Sequence, residues 1–340
     1  MGRDGGADVL TGAEGDWPRP RLLASRCLEF DHCRWNGAVV ESRFVRLLAD
    51  RADFVTVCPE VSLGLGVPRA PIRLAGRDSA SARLIQPSTG RDLTDEMRDF
   101  SRRFIAGLGR VDGAVLKFRS PSCGISDVRV HSPDGSGGPV GKRPGLFGEA
   151  VLEALEGVPV VHEGRLLNFA LREHFLTGIY TLARFRAARE EALASRRAGP
   201  LVAFHSSAKL LLLGTSQKEE RRLGRIVAGS GSRLEEALEE YRAGLGRALA
   251  RPAGRGAVVN VLLHAMGYFK DRLEPAEKGV FLDCLEGFRA GRLPLSACQA
   301  VLRAWNARFP DEWLSGQFFF RPFPPDLSGM EDSGRGRLGR

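Results

Sequence analysis

The spacing of hydrophobic residues changes near residue 163 and divides the chain into two regions. Between Arg21 and Glu163, short apolar runs alternate with stretches in which apolar residues recur every three or four positions. The runs predict strands and the stretches predict amphipathic helices. Strands are predicted at 21–25, 53–57, 71–74, 83–86, 113–118 and 158–161, and helices at 40–50, 93–108 and 146–156.

This alternation predicts an α/β parallel, Rossmann-like domain of three layers. Single helices between successive strands are typical of right-handed βαβ crossovers, which build parallel sheets. The segment 132–145 is rich in Gly, Pro, Ser and Asp, and its composition predicts a surface loop.

The region after Glu163 is predicted to be all-helical, because apolar residues there keep helical spacing and strand-like runs become rare. Residues 1–18 and 326–340 are Gly-rich and aperiodic, which predicts disordered tails. We therefore predict an α/β domain over 19–163 and a helical domain over 164–325. The predicted helices of the second domain cover 166–195, 199–213, 218–228, 233–249, 257–271, 275–289 and 295–308.

Composition limits the class of protein. No apolar run approaches the roughly 20 residues of a membrane helix, and the first residues lack the apolar stretch of a secretory signal. We therefore expect a cytoplasmic protein without a membrane partner, whose six cysteines are reduced.

Basic residues are concentrated in the predicted helical domain. The net charge of the chain is +9, and residues 184–255 hold 15 basic and eight acidic residues. Such an excess suits a polyanion such as RNA, although arginines on solvated helix faces are an equally good explanation. Within 218–228, Lys218 and three arginines (Arg221, Arg222 and Arg225) could bind phosphates, whereas Glu219 and Glu220 beside them favour an ordinary exposed face.

Three cysteines each lie at or just past the end of an apolar, strand-like run. They are Cys27, Cys58 and Cys123. Carboxyl ends of parallel strands open onto one crevice, so three thiols distant in sequence can meet there. Such a trio can hold a metal cluster and leave one metal corner free for chemistry. Cys33 is an additional thiol, which we expect to be a bystander, with a role as replacement ligand as the alternative.

Around these cysteines the sequence resembles the thiouracil desulfidase (TudS) family. The matching segments are Ser25-Arg-Cys27-Leu28, Arg34-Trp-Asn-Gly37, Cys58-Pro-Glu60 with the following Gly64-Leu-Gly66-Val-Pro68-Arg69, Gly90-Arg-Asp92-Leu-Thr94, and Ser120-Pro-Ser-Cys123-Gly124. The resemblance implies a [4Fe–4S] cluster held by Cys27, Cys58 and Cys123. Its fourth iron would be open to the sulfur of a thiocarbonyl substrate.

The same resemblance implies roles for the residues near the cysteines. Glu60 would be the base that activates water, and Ser120 would donate a hydrogen bond to the developing anion or relay a proton. Substrate-binding roles are predicted for Ser25, Arg69 and Ser122.

The helical region resembles the YbgA-type domain that follows this desulfidase domain in longer bacterial proteins. The resemblance is carried by Glu163-Gly-Arg-Leu-Leu-Asn168, Phe204-His205, Leu223-Gly-Arg-Ile-Val-Ala228, Asn260-Val-Leu-Leu-His264, and Gln317-Phe-Phe. Two-domain proteins of this kind are similar to enzymes that remove sulfur from 4-thiouridine in tRNA, and the helical domain would then bind the RNA.

The predicted RNA contacts are Lys209 and Lys270. His205 and His264 could line the same groove, but we expect both to be buried between helices. Tyr268 could stack on a base, although its spacing favours core packing. Cys284 and Cys298 are predicted to be core residues.

These inferences lead to one functional hypothesis. The chain is predicted to be a [4Fe–4S]-dependent, non-redox desulfidase of thiolated uracil, with 4-thiouridine in tRNA as the favoured substrate. The alternatives are a desulfidase of free thiouracil and a non-catalytic, cluster-bearing protein that binds RNA or acts as a sensor.

Overall fold

The computed structural model describes residues 17–329, which form two compact units. Within these residues, the α/β unit contains Arg19–Ile179 and 326–329, and the helical unit contains 17–18 and Tyr180–Pro325. The division falls inside one long helix, 16 residues beyond the predicted boundary at 163. Most of the two predicted tails, namely residues 1–16 and 330–340, lies outside the described residues.

In the described part of the chain, the α/β unit contains nine strands and four helices, and the first turns of a fifth helix. The strands are β1 (Arg21–Ser25), β2 (Asp53–Val57), β3 (Arg73–Ala75), β4 (Arg83–Gln86), β5 (Arg91–Asp92), β6 (Gly113–Leu116), β7 (Val128–His131), β8 (Gly141–Arg143) and β9 (Val160–His162). The helices are α1 (Arg43–Ala49), α2 (Pro59–Ser62), α3 (Thr94–Leu108) and α4 (Leu146–Ala154).

A four-stranded parallel sheet forms the centre of this unit, in the order β2-β1-β6-β9. All four residues of β6 are buried, as is β1 after its first residue, as expected for strands covered on both faces. From β2 the chain crosses over β1 to reach β6, so the strand order changes direction beside β1. Ligands bind at such switch points in open α/β sheets. The predicted parallel α/β fold is confirmed.

A second, mixed sheet corrects the expectation of one parallel sheet. Its order is β5-β4-β3-β7-β8, with β3 and β4 antiparallel and β3 parallel to β7. The predicted strands 71–74 and 83–86 therefore form a hairpin. The predicted loop 132–145 is also wrong in part, because it contains β8. The strand β8 has no apolar residue and pairs through its backbone with β7, so periodicity could not reveal it.

One hydrophobic core joins both sheets to α3 and α4. Leu23 and Leu116 come from the parallel sheet, Val130 from the second sheet, Met97 from α3 and Phe147 from α4. Each is fully buried. The second sheet is therefore an integral part of the unit that carries the strand ends described below.

The helical unit confirms the predicted all-α region. Its helices are α5 (Phe169–Ser195, shared with the α/β unit), α6 (Gly199–Thr215), α7 (Gln217–Ala228), α8 (Leu234–Leu249), α9 (Arg255–Gly267), α10 (Pro275–Arg289), α11 (Leu295–Arg308) and α12 (Glu312–Ser315). Helix α6 packs against α7, α8 and α9, and against a 3-10 turn at Phe318–Phe320. Within residues 17–329, no helix is long and apolar enough to cross a membrane.

Gln317 links the C-terminal segment to α6 by hydrogen bonds with the backbone of that helix. Its Nε2 donates to Ser206 O at 2.8 Å, and its Oε1 accepts from Leu210 N at 3.0 Å. Those two backbone groups are paired with each other in a regular α-helix. Gln317 is 3% exposed and also donates to Trp313 O at 3.3 Å. Its amide therefore supplies a donor and an acceptor that no other residue type combines in this shape.

This contact generates a stability prediction. Gln317→Ala should cost about 1–2 kcal/mol, because Ser206 O and Leu210 N can then pair with each other. Gln317→Glu should cost about 3 kcal/mol or more, because a buried carboxylate would face two carbonyl oxygens without a donor. Urea unfolding of the helical unit, followed by circular dichroism, measures both costs. The exposed Gln217→Glu is the matched control, and equal stability of Gln317→Glu and the wild type would refute this role.

Candidate active site

Three neighbouring strands deliver three cysteines to one edge of the parallel sheet. Cys58 directly follows β2, Cys27 follows β1 by two residues, and Cys123 follows β6 by seven residues. All three side chains are buried, at 9% exposure or less. Because β2, β1 and β6 are adjacent and parallel, the three cysteines lie at the carboxyl edge where the sequence predicted a crevice.

A fourth thiol, that of Cys33, packs against two of these three cysteines. Cys27, Cys33 and Cys58 pack together beside Val40 and Val61. Cys33 is 2% exposed, and its carbonyl oxygen accepts from Cys58 Sγ at 3.8 Å. Cys33 therefore lies within the site, and its role as a bystander or as a replacement ligand stays a prediction. The only signal in the sequence was its separation of six residues from Cys27.

Cys123 approaches the cluster from the β6 side. Burial raises the pKa of its thiol, as do the charges of Glu60 and Cys58, whereas the hydroxyls of Ser25 and Ser120 lower it. Two glycines at the start of α4, the N-cap Gly145 and Gly148 of its first turn, allow this loop to pack tightly. A Cβ at Gly148 would lie 2.2 Å from Gly124 O, and one at Gly145 would lie 2.6 Å from Ser122 O. The first turn of α4 therefore holds the Cys123 loop at close range.

The surroundings of the thiols disfavour their charged form. Burial raises the pKa of Cys123, and contact with Cys33 together with burial raises the pKa of Cys58. Contact with Cys27 raises the pKa of Cys33 to about 11. Since thiolates are the form that binds metals, metal binding here would release protons.

The donor set suits a cluster better than a single ion. In the described part of the chain, no three or more His, Cys, Asp or Glu side chains are arranged to hold one metal ion. Thiolates that hold an iron–sulfur cube each bind a different iron, so they need not converge on one point. Three buried sulfurs from separate strand ends fit that requirement. The thiol chemistry is thus compatible with an iron–sulfur cluster.

Glu60 lies between the Cys58 segment and the Cys123 loop. Helix α2 begins at Pro59 with Cys58 as its N-cap, which places Glu60 in its first turn. Its Oε2 accepts from Arg69 Nε at 2.9 Å and from Arg69 Nη2 at 2.7 Å. Its Oε1 accepts from Ser122 Oγ at 3.0 Å. The Glu60 side chain is only 13% exposed, and that of Arg69 is 4% exposed.

The donors of Arg69 are all engaged within the protein, and its substrate-binding role stays a prediction. A guanidinium has five N–H donors. Besides Glu60, Arg69 donates to Cys33 O at 3.0 Å, to Gly66 O at 2.9 Å and to Cys58 Sγ at 4.0 Å. These contacts account for all five donors. Arg69 is therefore part of the wall that fixes Glu60.

The three serines are likewise engaged within the protein. Ser25 Oγ accepts from Lys117 N at 2.9 Å, and Ser120 Oγ accepts from Ser122 N at 3.2 Å and from Cys123 N at 3.1 Å. Ser25 and Ser122 are at most 1% exposed. Both side chains are therefore enclosed by the protein, and the substrate-binding roles of Ser25 and Ser122 stay predictions. Ser120 is partly exposed and shapes the Cys123 loop.

Glu163 supports the site and was not predicted to do so. It forms an ion pair with Lys117 and accepts from Phe118 N at 2.7 Å. Both partners follow β6, and Glu163 follows the adjacent strand β9. The pairing of these strands thus anchors the start of the loop that leads to Cys123. In the sequence, Glu163 belongs to the helical-domain motif, and its place beside the end of β6 follows only from the pairing of β6 with β9.

Within the helical unit, the structure confirms the packing predicted for His205 but not that predicted for His264 and Tyr268, and the RNA-contact roles of Lys209 and Lys270 stay predictions. Lys209 and Lys270 are exposed. His205 is held between helices, as predicted, with its Nδ1 3.0 Å from the Tyr241 hydroxyl. His264 is exposed, so the expectation of burial is wrong. Tyr268 is 41% exposed and stacks on Trp313, so it is not a core residue as predicted.

The predicted cysteine pair of the helical unit is largely buried. Cys298 is fully buried and Cys284 is partly buried, and their sulfurs are 3.4 Å apart. They therefore pack against each other between α10 and α11.

Helix α7 separates its charges by sign, contrary to the expectation of a mixed exposed face. Glu219 and Glu220 are buried, at 8% and 9% exposure, and Arg247 donates to Glu219 at 3.1 Å. The exposed residues of the helix occur at spacings of three and four, which places them on one face. They form a basic stripe of Lys218, Arg221, Arg222 and Arg225.

Comparison with known proteins identifies relatives of both regions. A family model described as 2-thiouracil desulfurase matches residues 22–163, and one described as a protein of unknown function, DUF1722, matches residues 209–324. The uncharacterized protein YbgA of Escherichia coli (strain K12) is 32% identical over 151 residues, which cover 44% of this chain and 88% of YbgA. The uncharacterized protein YbbK of Bacillus subtilis (strain 168) is 31% identical over 110 residues, which cover 30% of this chain and 72% of YbbK.

One solved structure is also similar. It is a [4Fe-4S]-dependent thiouracil desulfidase, TudS, which is 24% identical and matches 44% of this chain and 93% of its own, with a TM-score of 0.35. The two family models confirm the resemblance on which the sequence analysis relied. Through residues 22–163 the chain belongs to the 2-thiouracil desulfurase family of sulfur-removing enzymes, and it continues into a YbgA-like DUF1722 region.

Proposed function

We propose that this protein is a [4Fe–4S]-dependent, non-redox desulfidase that converts 4-thiouridine in tRNA to uridine. The observation that carries the proposal is the group of buried cysteines at adjacent strand ends, with the carboxylate of Glu60 among them. Membership of residues 22–163 in the 2-thiouracil desulfurase family supports the removal of sulfur from a thiolated uracil ring.

The proposed cluster ligands are Cys27, Cys58 and Cys123. Soft thiolates are the usual protein ligands of iron–sulfur clusters, and three of them leave one iron of a [4Fe–4S] cube without a protein ligand. When bound, the cluster would supply a Lewis-acidic iron that polarises the thiocarbonyl group through its sulfur. Cys33 would lie against two of the ligands and support their sulfur atoms by hydrogen bonding.

The proposed reaction is a hydrolysis that needs no oxidant or reductant. Water adds to the ring carbon that carries sulfur, the carbon–sulfur bond breaks, and the products are uridine within the tRNA and hydrogen sulfide. Glu60 would take the proton of the attacking water at Oε1. Ser120 would donate its hydroxyl hydrogen to negative charge that develops during the addition, since its oxygen already accepts from the loop.

The basic surface of the helical unit supports RNA over a free base as substrate. The stripe Lys218, Arg221, Arg222 and Arg225 makes no ion pair within residues 17–329, and its acidic neighbours are buried. Unpaired cations on one helix face attract the phosphates of a nucleic acid. Exposed Lys209 and Lys270 would add to this attraction. A free thiouracil base carries no phosphate and gains nothing from such a surface.

The role of Glu60 leads to the first functional prediction. Glu60→Gln keeps the size of the side chain but removes its basicity, so we expect kcat to fall by about 10²-fold or more. Iron content and the visible spectrum of the anaerobically reconstituted protein should stay unchanged. The assay follows sulfide release and loss of thiocarbonyl absorbance, and Glu149→Gln, paired with Arg143 in the same unit, is the control. Full activity of Glu60→Gln would reject Glu60 as the base.

The basic stripe leads to a second prediction, which concerns the substrate. The triple variant Arg221→Ala, Arg222→Ala, Arg225→Ala should raise KM for thiolated tRNA and reduce the slope of its salt dependence by about three. Turnover of free 4-thiouracil should not change. The control replaces three exposed arginines of α3 with Ala (Arg98, Arg102 and Arg103), which removes the same total charge.

Two results would contradict the proposed substrate. If the wild type desulfurises free thiouracil but not thiolated tRNA, the free-base alternative is correct. If a cluster-loaded wild type releases sulfide from neither substrate, the protein is a non-catalytic cluster protein.

A further inference from the structure

We propose that Arg69 and Ser122 are positioning residues that leave Glu60 one site at which it can accept a proton. This inference rests on the proposed function and goes beyond it, because it assigns the direction from which water must approach. It also converts two residues predicted to bind substrate into parts of the catalytic framework.

The inference begins with the lone pairs of the carboxylate. Each carboxylate oxygen can accept two hydrogen bonds. Oε2 of Glu60 already accepts two from Arg69, at 2.9 and 2.7 Å. Oε1 accepts one from Ser122, at 3.0 Å. A single acceptor position on Oε1 therefore remains for the proton of the attacking water.

Arg69 can hold the carboxylate in this orientation because it is itself immobilised. Its Nη1 donates to Cys33 O and Gly66 O, and its backbone N donates to Trp35 O at 2.8 Å. The guanidinium is planar, so these anchors fix the two N–H groups that face Glu60. Rotation of the Glu60 carboxylate would break two charge-assisted hydrogen bonds at once.

Ser122 fixes the same carboxylate from the opposite side of the site. Its side chain is fully buried. Its N donates to Ser120 Oγ at 3.2 Å, and its O accepts from Gly148 N at 2.9 Å. Since Cys123 is the next residue, Oε1 is held at a set position relative to the Cys123 loop. Arg69 performs the same task relative to Cys33 and Cys58.

A positioning role and a binding role make different kinetic predictions. If Arg69 only orients Glu60, its loss should lower kcat and leave substrate affinity almost unchanged. We expect Arg69→Ala to lower kcat by about 10²-fold, the usual scale for a misplaced catalytic group, and to change KM by less than about threefold. The dissociation constant of the cluster-free protein for unmodified tRNA should not change.

Chemical rescue tests the geometry directly. Guanidinium ion, added well below unfolding concentrations, should restore part of the kcat of Arg69→Ala, because it can donate two parallel N–H groups to Oε2. Arg69→Lys should also lower kcat and should not respond to guanidinium. The lysine ammonium occupies the site but cannot donate two parallel N–H groups to the carboxylate. Ser122→Ala should lose about tenfold in kcat, since the arginine contacts stay in place. Arg143→Ala, another largely buried arginine paired with a glutamate, controls for general effects of guanidinium.

The outcomes separate this inference from the proposed function. An inactive, cluster-loaded wild type refutes the proposed function. An active wild type accompanied by Arg69→Ala with normal kcat, or with a raised KM and raised dissociation constant, refutes the positioning role. Lowered kcat, unchanged affinity and guanidinium rescue support it. If Arg69→Ala does not fold, Arg69→Lys and Ser122→Ala carry the same test through their kcat and dissociation constants.

Discussion

Parallel pairing of β1 with both β2 and β6 is the constraint on which the candidate site depends. It brings the segments that follow three strands to one edge of the sheet, although those segments are far apart in sequence. Cys27, Cys58 and Cys123 each belong to one of these segments. Because β1 and β6 are almost completely buried, separating these strands would cost much free energy. The loops that follow them are therefore held in place by the tightly packed centre of the unit.

The ion pair of Glu60 with Arg69 is better explained by the orientation it gives the carboxylate than by a gain in folding stability. Removing two charges from water costs several kcal/mol, and a buried ion pair often contributes no net stability. Here the cost is offset by hydrogen bonds to every donor of Arg69 and to three of the four lone pairs of Glu60. A hydrophobic pair would fill the same space without that cost. What it could not supply is a carboxylate held at a fixed orientation beside the thiols.

The sequence was sufficient for the elements with strong periodicity and for the positions of the cysteines. It was insufficient for elements that depend on backbone pairing between strands and for side chains whose orientation depends on distant contacts. The strand β8 has no apolar residue, so only its backbone partner β7 reveals it. The motif places Arg69 near the site, but only its hydrogen bonds in the structure show that all five N–H donors have partners within the protein. Likewise, helical spacing could not tell whether Tyr268 faces the core or solvent, because its ring stacks on Trp313 from a separate segment.

Helix α7 shows why net charge is a poor guide to a binding surface. Its sequence holds Glu219 and Glu220 among four basic residues, which suggests partial neutralisation. Burial turns both glutamates inward, where Arg247 binds Glu219, so their charge is largely withdrawn from the outer face. The same six residues thus present a more positive surface than their sum implies. A partner that meets this face in solution senses the basic stripe, and for such a partner the arrangement of charge matters more than the composition.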